Sequence, residues 1–287
     1  MRFENRLKTC ARAVQAHLDA QIAGTDRIAT AMRYAASGGK RLRAFLVIES
    51  AALFGVPPAR AMPAAAAIEA LHAYSLVHDD LPCMDDDALR RGQPTVHVKW
   101  DQATAVLVGD ALQSLAFELL ADPALGAAEV RIALTGALAR AAGARGMVLG
   151  QAQDIAAETA GAPLTLDRIT ELQANKTGAL IEWSCIAGAT LGGADAAPLR
   201  RYSRALGLAF QIADDILDVA GDARETGKAV GKDQAAGKAT FVSLLGLDGA
   251  RARATTLVAE AETALAPYGD AANGLRDAAR FVIARRT

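Results

Sequence analysis

The chain has 287 residues, 52% hydrophobic and 22% charged, with 31 Lys+Arg against 32 Asp+Glu for a net charge of −1. This composition excludes a disordered chain and a bulk polyanion-binding surface, so no nucleic-acid partner is implied. The opening MRFENRLKTC has no apolar core of a secretory signal, and charges interrupt every long apolar stretch, so no membrane span is expected.

The pattern reads helical almost throughout. Aromatics are only 5%, no segment alternates apolar and polar residues over a strand's length, and apolar positions recur at helical spacing. Glycine and proline punctuation, from Gly38-Gly39 and Pro57-Pro58 to Gly192-Gly193 and Pro267, divides the chain into eight to eleven helices. One all-α domain over residues 1–287 is the expectation. Cys10, Cys83 and Cys185 form no CxxC and fit a reducing cytoplasm.

The first chemical signal along the chain is Gly38-Gly39-Lys40-Arg41-Leu42-Arg43, a glycine turn opening a helix. Free N–H groups and cationic side chains there suit an anion, and Lys40 and Arg43, three apart, are expected on one face. Next comes LVHDDLPCMDDDALRRG, residues 76–92, with five Asp and two Arg. On a continuous helix Asp79 and Asp85 would stand about 240° apart. Pro82 interrupts the helix and lets Asp85 swing back toward Asp79. Alone, such a run is as readily a solvated acidic helix end.

Further on, Asn175-Lys176-Thr177-Gly178 lies inside an otherwise helical stretch, where Asn and Gly predict a break that frees a carbonyl and the Thr hydroxyl. In FQIADDILDVAGD, residues 210–222, Gln211, Asp214, Asp215 and Asp218 fall within an arc of about 100°, with Leu206, Phe210, Ala213 and Leu217 opposite. Three carboxylates on one helix wall call for a cation, and magnesium takes carboxylate oxygens together with substrate phosphates. Two such acidic segments stand 135 residues apart. Lys228 and Lys238, in a glycine-rich connection, would then supply counter-charge for a diphosphate.

Taken in order, GGKRLR, IEALHAYSLVHDDLPCMDDDALRRGQPTVH, VGDALQSLAFELL, GQAQD, NKTGALI, FQIADDILD and GKATFVSLLG resemble the blocks of the trans-type polyprenyl diphosphate synthases. They are most similar to the bacterial farnesyl diphosphate synthases. The resemblance implies the isoprenoid synthase fold, a single-domain bundle of about ten core helices around a central cavity. It implies a magnesium-dependent enzyme that joins isopentenyl diphosphate to dimethylallyl and geranyl diphosphate, with three ions per site and a homodimer.

By the same resemblance Asp79, Asp80 and Asp85 would bind two ions, and Asp214 with Asp218 the third. Arg90, Lys176, Lys228 and Lys238 would grip the allylic diphosphate, and Lys40, Arg43, His72 and Arg91 the isopentenyl diphosphate. Thr177 and Gln211 would turn oxygen dipoles to the reacting carbons. Tyr74, about 7–8 Å down the helix from Asp79, would floor the cavity, and Ser75 is too small to add a second plug. Alternatives are a geranyl or geranylgeranyl diphosphate synthase, and, in another class, a non-catalytic subunit of a heteromeric synthase. The tail RFVIARRT resembles family tails, but Arg285 and Arg286 receive no role. DDILD at the second motif argues against a terpene cyclase.

Overall fold

A computed structural model describes residues 2–159, 164–220 and 239–284. Within them the chain forms α1 (Phe3–Gln21), α2 (Arg27–Ala35), α3 (Leu42–Ala52), α4 (Pro58–Asp79), the short α5 (Val96–Lys99), α6 (Gln102–Leu120), α7 (Ala128–Ala142) and α8 (Met147–Thr159). After these come α9 (Leu166–Gln173), α10 (Ala179–Gly192), α11 (Ala197–Ala220), α12 (Phe241–Ala264) and α13 (Asn273–Ala284). The all-α expectation holds. The one departure among the described residues is a two-stranded ribbon, β1 (Leu89–Arg90) and β2 (Gln93–Pro94).

Local chemistry starts the helices where the sequence provides for it. Asp26 accepts from the N–H groups of Ile28 and Ala29 at the head of α2, and Asp101 accepts from Thr104 N at 2.7 Å to open α6. Pro58 occupies the first turn of α4, where its missing N–H costs nothing. Thr240 and Ser243 cap α12 reciprocally.

The small side chains Ala64 to Ala67 are fully buried on α4 and let α3, α6 and α10 approach it closely. One core runs through α4 and α6 around Ile68, Leu71, Leu112 and Leu120. A second joins α11, α12 and α13 around Tyr202, Phe241, Leu257 and Leu275. The apolar stripe predicted for α11 is present, with Leu206 and Ala213 buried and Phe210 and Leu217 half-buried.

Burial alters one expectation. Gln102–Leu120 and Ala128–Ala157 are, by length and composition, apolar enough to cross a membrane, contrary to the sequence reading. Half of the apolar window in Gln102–Leu120 is buried inside the protein, packed against α4, as a core helix is.

Candidate active site

The site is built at the C-terminal end of α4. The helix stops at Asp79, and the backbone N–H of Asp85 donates to the Asp79 carbonyl at 2.8 Å, carrying Asp85 back over the helix end as Pro82 foretold. Asp85 is exposed and Asp79 half-buried. Burial pushes the Asp79 carboxyl up to about 6; Lys176 and Arg90 oppose the shift, and Asp85 and Asp80 add to it.

Asp80 has a different situation from the one expected of a metal ligand. It is buried, and Arg90 Nε donates to its two oxygens at 2.8 and 2.9 Å. The pair joins the acidic loop to the ribbon and fixes the guanidinium. Arg91 follows at the ribbon's turn, where Arg91 and Gly92 both adopt positive φ, the conformation a two-residue hairpin turn requires.

Arg91 Nη1 donates to Ser37 O at 2.7 Å, and its guanidinium covers Gly39, where an added Cβ would lie 2.9 Å from Cζ. Gly38 and Gly39 have φ of 73° and 79°, so the glycine turn is a left-handed bend under an arginine. Lys40 precedes α3 instead of belonging to it, so the shared helix face predicted for Lys40 and Arg43 does not form. The exposed Lys40 has its ammonium 5.5 Å from the Phe281 ring centroid on α13.

Arg41 is buried and pairs with Glu69 at 3.3 Å, while the other Glu69 oxygen accepts from Ala44 N at 2.9 Å. That arginine holds the head of α3. His72 is half-buried, and desolvation, then Arg43, Arg91, Arg90 and Arg41, depress its pKa well below the ordinary value. The surrounding guanidinium groups thus disfavour a charge on its imidazole.

Residues Ala174–Gly178 form a single π-turn between α9 and α10, the break predicted at NKTG. Lys176 Nζ donates to Asp154 Oδ2 at 2.7 Å, and Asn175 Nδ2 to Gln153 Oε1 at 3.1 Å. Gly150 on α8 makes this approach possible, since a Cβ there would sit 2.1 Å from Lys176 N. Thr177 Oγ1 donates to Gln211 Oε1 at 3.3 Å. The π-turn thus links the two acidic segments: Lys176 acts on Asp79, and Thr177 touches the helix that carries Asp214.

Asp214 and Asp218 are half-buried on α11, whereas Asp215 is buried. Asp215 accepts from Gln211 Nε2 at 2.9 Å and from Phe241 N at 2.8 Å, which binds α11 to the head of α12. Sequence reading placed Asp215 on the carboxylate wall that calls for a cation, whereas here it is spent on Gln211 and Phe241 N; it assigned no role to Asp154 or Gly150. The signal for Asp154 was present in the GQAQD block, but its partner Lys176 is 22 residues away in sequence. Lys228 and Lys238 lie outside the described residues, as do Arg285 and Arg286.

Tyr74 is buried on α4, edge-on to the His78 ring at 5.4 Å. Burial raises its pKa. Ser75 Oγ donates back to His72 O at 2.9 Å, so its hydroxyl is spent within the helix. Among the described residues, no group of three or more His, Cys, Asp and Glu side chains is arranged to hold a metal ion.

The polyprenyl synthetase family model matches residues 25–266. The chain belongs to the polyprenyl synthetase family. Its relatives include a farnesyl diphosphate synthase of Haemophilus influenzae, 42% identical over 99% of each chain. Among solved structures, the FPP/GFPP synthase of Zymomonas mobilis superposes with a TM-score of 0.90 at 45% identity, covering 98% of each chain. The geranyltransferase of Helicobacter pylori, in complex with magnesium and isoprenyl diphosphate, gives a TM-score of 0.84 at 34% identity, over 99% of this chain and 97% of that one. A polyprenyl synthetase therefore carries both acidic segments on this all-helical frame.

Proposed function

We propose that this polyprenyl synthetase condenses isopentenyl diphosphate with dimethylallyl and then geranyl diphosphate to give (2E,6E)-farnesyl diphosphate. One observation carries the reading. The π-turn joins the two acidic segments, its Lys176 acting on Asp79 and its Thr177 touching Gln211, and a basic cluster of Arg41, Arg43, Arg90 and Arg91 acts on His72 of the Asp79 helix. The cluster suits one diphosphate, and the acidic walls with Lys176 suit the other. The domain is taken as one unit over residues 1–287.

The donor set fits magnesium. Asp79 and Asp85 offer hard oxygen atoms at one helix end, and the raised Asp79 pKa marks a charge awaiting a counter-ion. Asp79 and Asp85 would hold two ions, and Asp214 with Asp218 a third. Asp80 supports the set through Arg90. No protein-only cluster is needed, because magnesium is commonly held by one or two carboxylates plus substrate phosphates. When bound, magnesium neutralises charge developing on the departing diphosphate.

The chain's own groups account for the rest. Lys176, steered by Asp154, and Arg90, steered by Asp80, point fixed positive charge at the leaving diphosphate. The allylic C–O bond breaks, and its electron pair leaves with the diphosphate. Thr177 and Gln211 present oxygen atoms toward the allylic cation. The Gln211 amide is oriented because its N–H is committed to Asp215. The double bond of isopentenyl diphosphate, anchored by Lys40, Arg43 and Arg91, attacks that cation. The proton then lost goes to the departed diphosphate, so no His or Glu base is required. His72, uncharged, packs among the arginines without adding to their repulsion.

Val98, Val106, Leu107, Ile132, Val148 and Leu149 expose apolar side chains on α5 to α8. This supports a homodimer through those helices, which sedimentation would test. A longer-chain product is the second reading, favoured by the similarity to the FPP/GFPP synthase of Zymomonas mobilis. Incubation with dimethylallyl diphosphate, isopentenyl diphosphate and magnesium, followed by chain-length chromatography, decides between them. A fifteen-carbon product is expected; no condensation by the pure chain would overturn the proposal in favour of a non-catalytic subunit.

A further inference from the structure

On the outer side of α10, away from Asp79, a half-open cleft of 680 Å³ lies between α7, the π-turn and α11. That volume is in the range of small-molecule sites, roughly 300–1,000 Å³. Four arginines, Arg140, Arg145, Arg200 and Arg204, line it against one acid, Glu182. Arg200 and Arg204 already pair with Glu182. Arg140 and Arg145 form no ion pair among the described residues. The cleft therefore has an excess of three positive charges, two of them uncommitted.

Its inner part is of opposite character. Ala141, Ala179, Trp183, Ile186 and Leu208 provide the apolar lining. Trp183 is fully buried behind this lining, with its only N–H committed to Leu134 O at 3.2 Å, so it backs the cleft without offering a donor. An apolar interior under an arginine rim matches a ligand with an apolar chain and an acidic head.

Asn175 and Gly178 also line the cleft. They flank Lys176 and Thr177 in the same five-residue π-turn. An occupant would thus rest against the outer side of the turn whose other contacts are Asp154 and Gln211.

We infer that this cleft is a second ligand site, which takes an anionic amphiphile by its arginine rim and apolar interior and acts on the active site through the π-turn. The site is separate from the acidic walls, and its occupancy can be measured without turnover. Failure of the prenyltransferase reading would leave the binding result intact.

Calorimetry with dodecyl phosphate, below its micelle concentration and with chelator present, is the test. One saturable site is expected. Inorganic phosphate alone and dodecanol alone should each bind at least about tenfold more weakly, because each satisfies only half of the cleft. Arg140→Ser/Arg145→Ser should weaken dodecyl phosphate by about tenfold or more while leaving the melting temperature and basal turnover in place. Leu208→Trp, which fills the apolar part, should abolish binding, with circular dichroism to establish that the variant is folded. In the wild type, saturating dodecyl phosphate should change kcat, and the double arginine variant should not respond. Undiminished binding in either variant, or binding of inorganic phosphate as tight as that of the amphiphile, overturns the assignment.

Discussion

Asp85 is folded back onto Asp79 by a backbone hydrogen bond of 2.8 Å from its N–H to the Asp79 carbonyl. The next residue, Asp86, has φ 50° and donates its N–H to Leu81 O at 3.2 Å, closing the loop behind Asp85. Two carboxylates are thereby presented from one helix end by backbone geometry, independent of any side-chain contact. A cation can then bridge them to a diphosphate. Chelation of magnesium should abolish turnover, and Asp79→Asn or Asp85→Asn should each lower kcat by about 100-fold or more. Full turnover in excess chelator would refute the scheme.

The raised Asp79 pKa makes a separate claim about the metal-free protein. Because the folded state holds this proton more tightly than the unfolded chain, the associated stabilisation is present below about pH 3.8 and is lost as pH rises through about 6. Asp79→Asn cannot lose it. In chelator at pH 7 that variant should be more stable than the parent, by about 1–3 kcal/mol. Melting curves collected from pH 4 to 7 would test this, and parallel curves for the two proteins would sink it.

Gly150→Ala tests the coupling of α8 to the π-turn. Its Cβ would lie 2.1 Å from Lys176 N and 2.4 Å from Lys176 Cα, and both of those are backbone atoms that no rotamer change can clear. The two segments must part, which displaces the Lys176 ammonium relative to Asp79. A kcat loss of about 10- to 100-fold is expected, with about 1–3 kcal/mol of stability lost to overpacking. Wild-type kcat in a folded variant would show that Lys176 need not be held there.

These placements also mark how far sequence reading reached. Pro82 signalled the return of Asp85, and Asn175 with Gly178 signalled the break at the π-turn, because both effects are local and act through the backbone. Helical face arithmetic grouped Asp214, Asp215 and Asp218. It could not tell that Asp215 faces Phe241 N, 26 residues on in sequence. It likewise could not separate Arg41, buried against Glu69, from its neighbour Lys40, exposed near Phe281. Side chains of the same type within one motif diverge according to which distant helix packs beside them, and periodicity carries no record of that.

Asp215→Asn removes one acceptor from a buried carboxylate that serves both Gln211 and Phe241. The new amide group must turn a donor toward another donor. A stability loss of about 1–3 kcal/mol is expected from urea denaturation. Turnover should fall more than KM changes, because Gln211 loses the contact that orients its oxygen toward Thr177. A variant of parental stability and kcat would remove Asp215 from this role.

Tyr74 bears on product length through its place one turn below His78 and five residues before Asp79 on α4. A growing chain that started at Asp79 and ran down this helix would meet the Tyr74 ring, which stands edge-on against His78. Ser75 offers no comparable obstruction, its hydroxyl being turned back to His72 O. Tyr74→Ala should therefore lengthen the product toward twenty carbons, at a stability cost of about 3 kcal/mol for the vacated volume. Tyr74→Phe, which keeps the ring and loses only the hydroxyl, should retain the parental length. The comparison separates a steric floor from a general loosening of the core. Chromatography of the products gives the answer: an unchanged distribution in Tyr74→Ala, or equal lengthening in Tyr74→Phe, would exclude the ring as the stop.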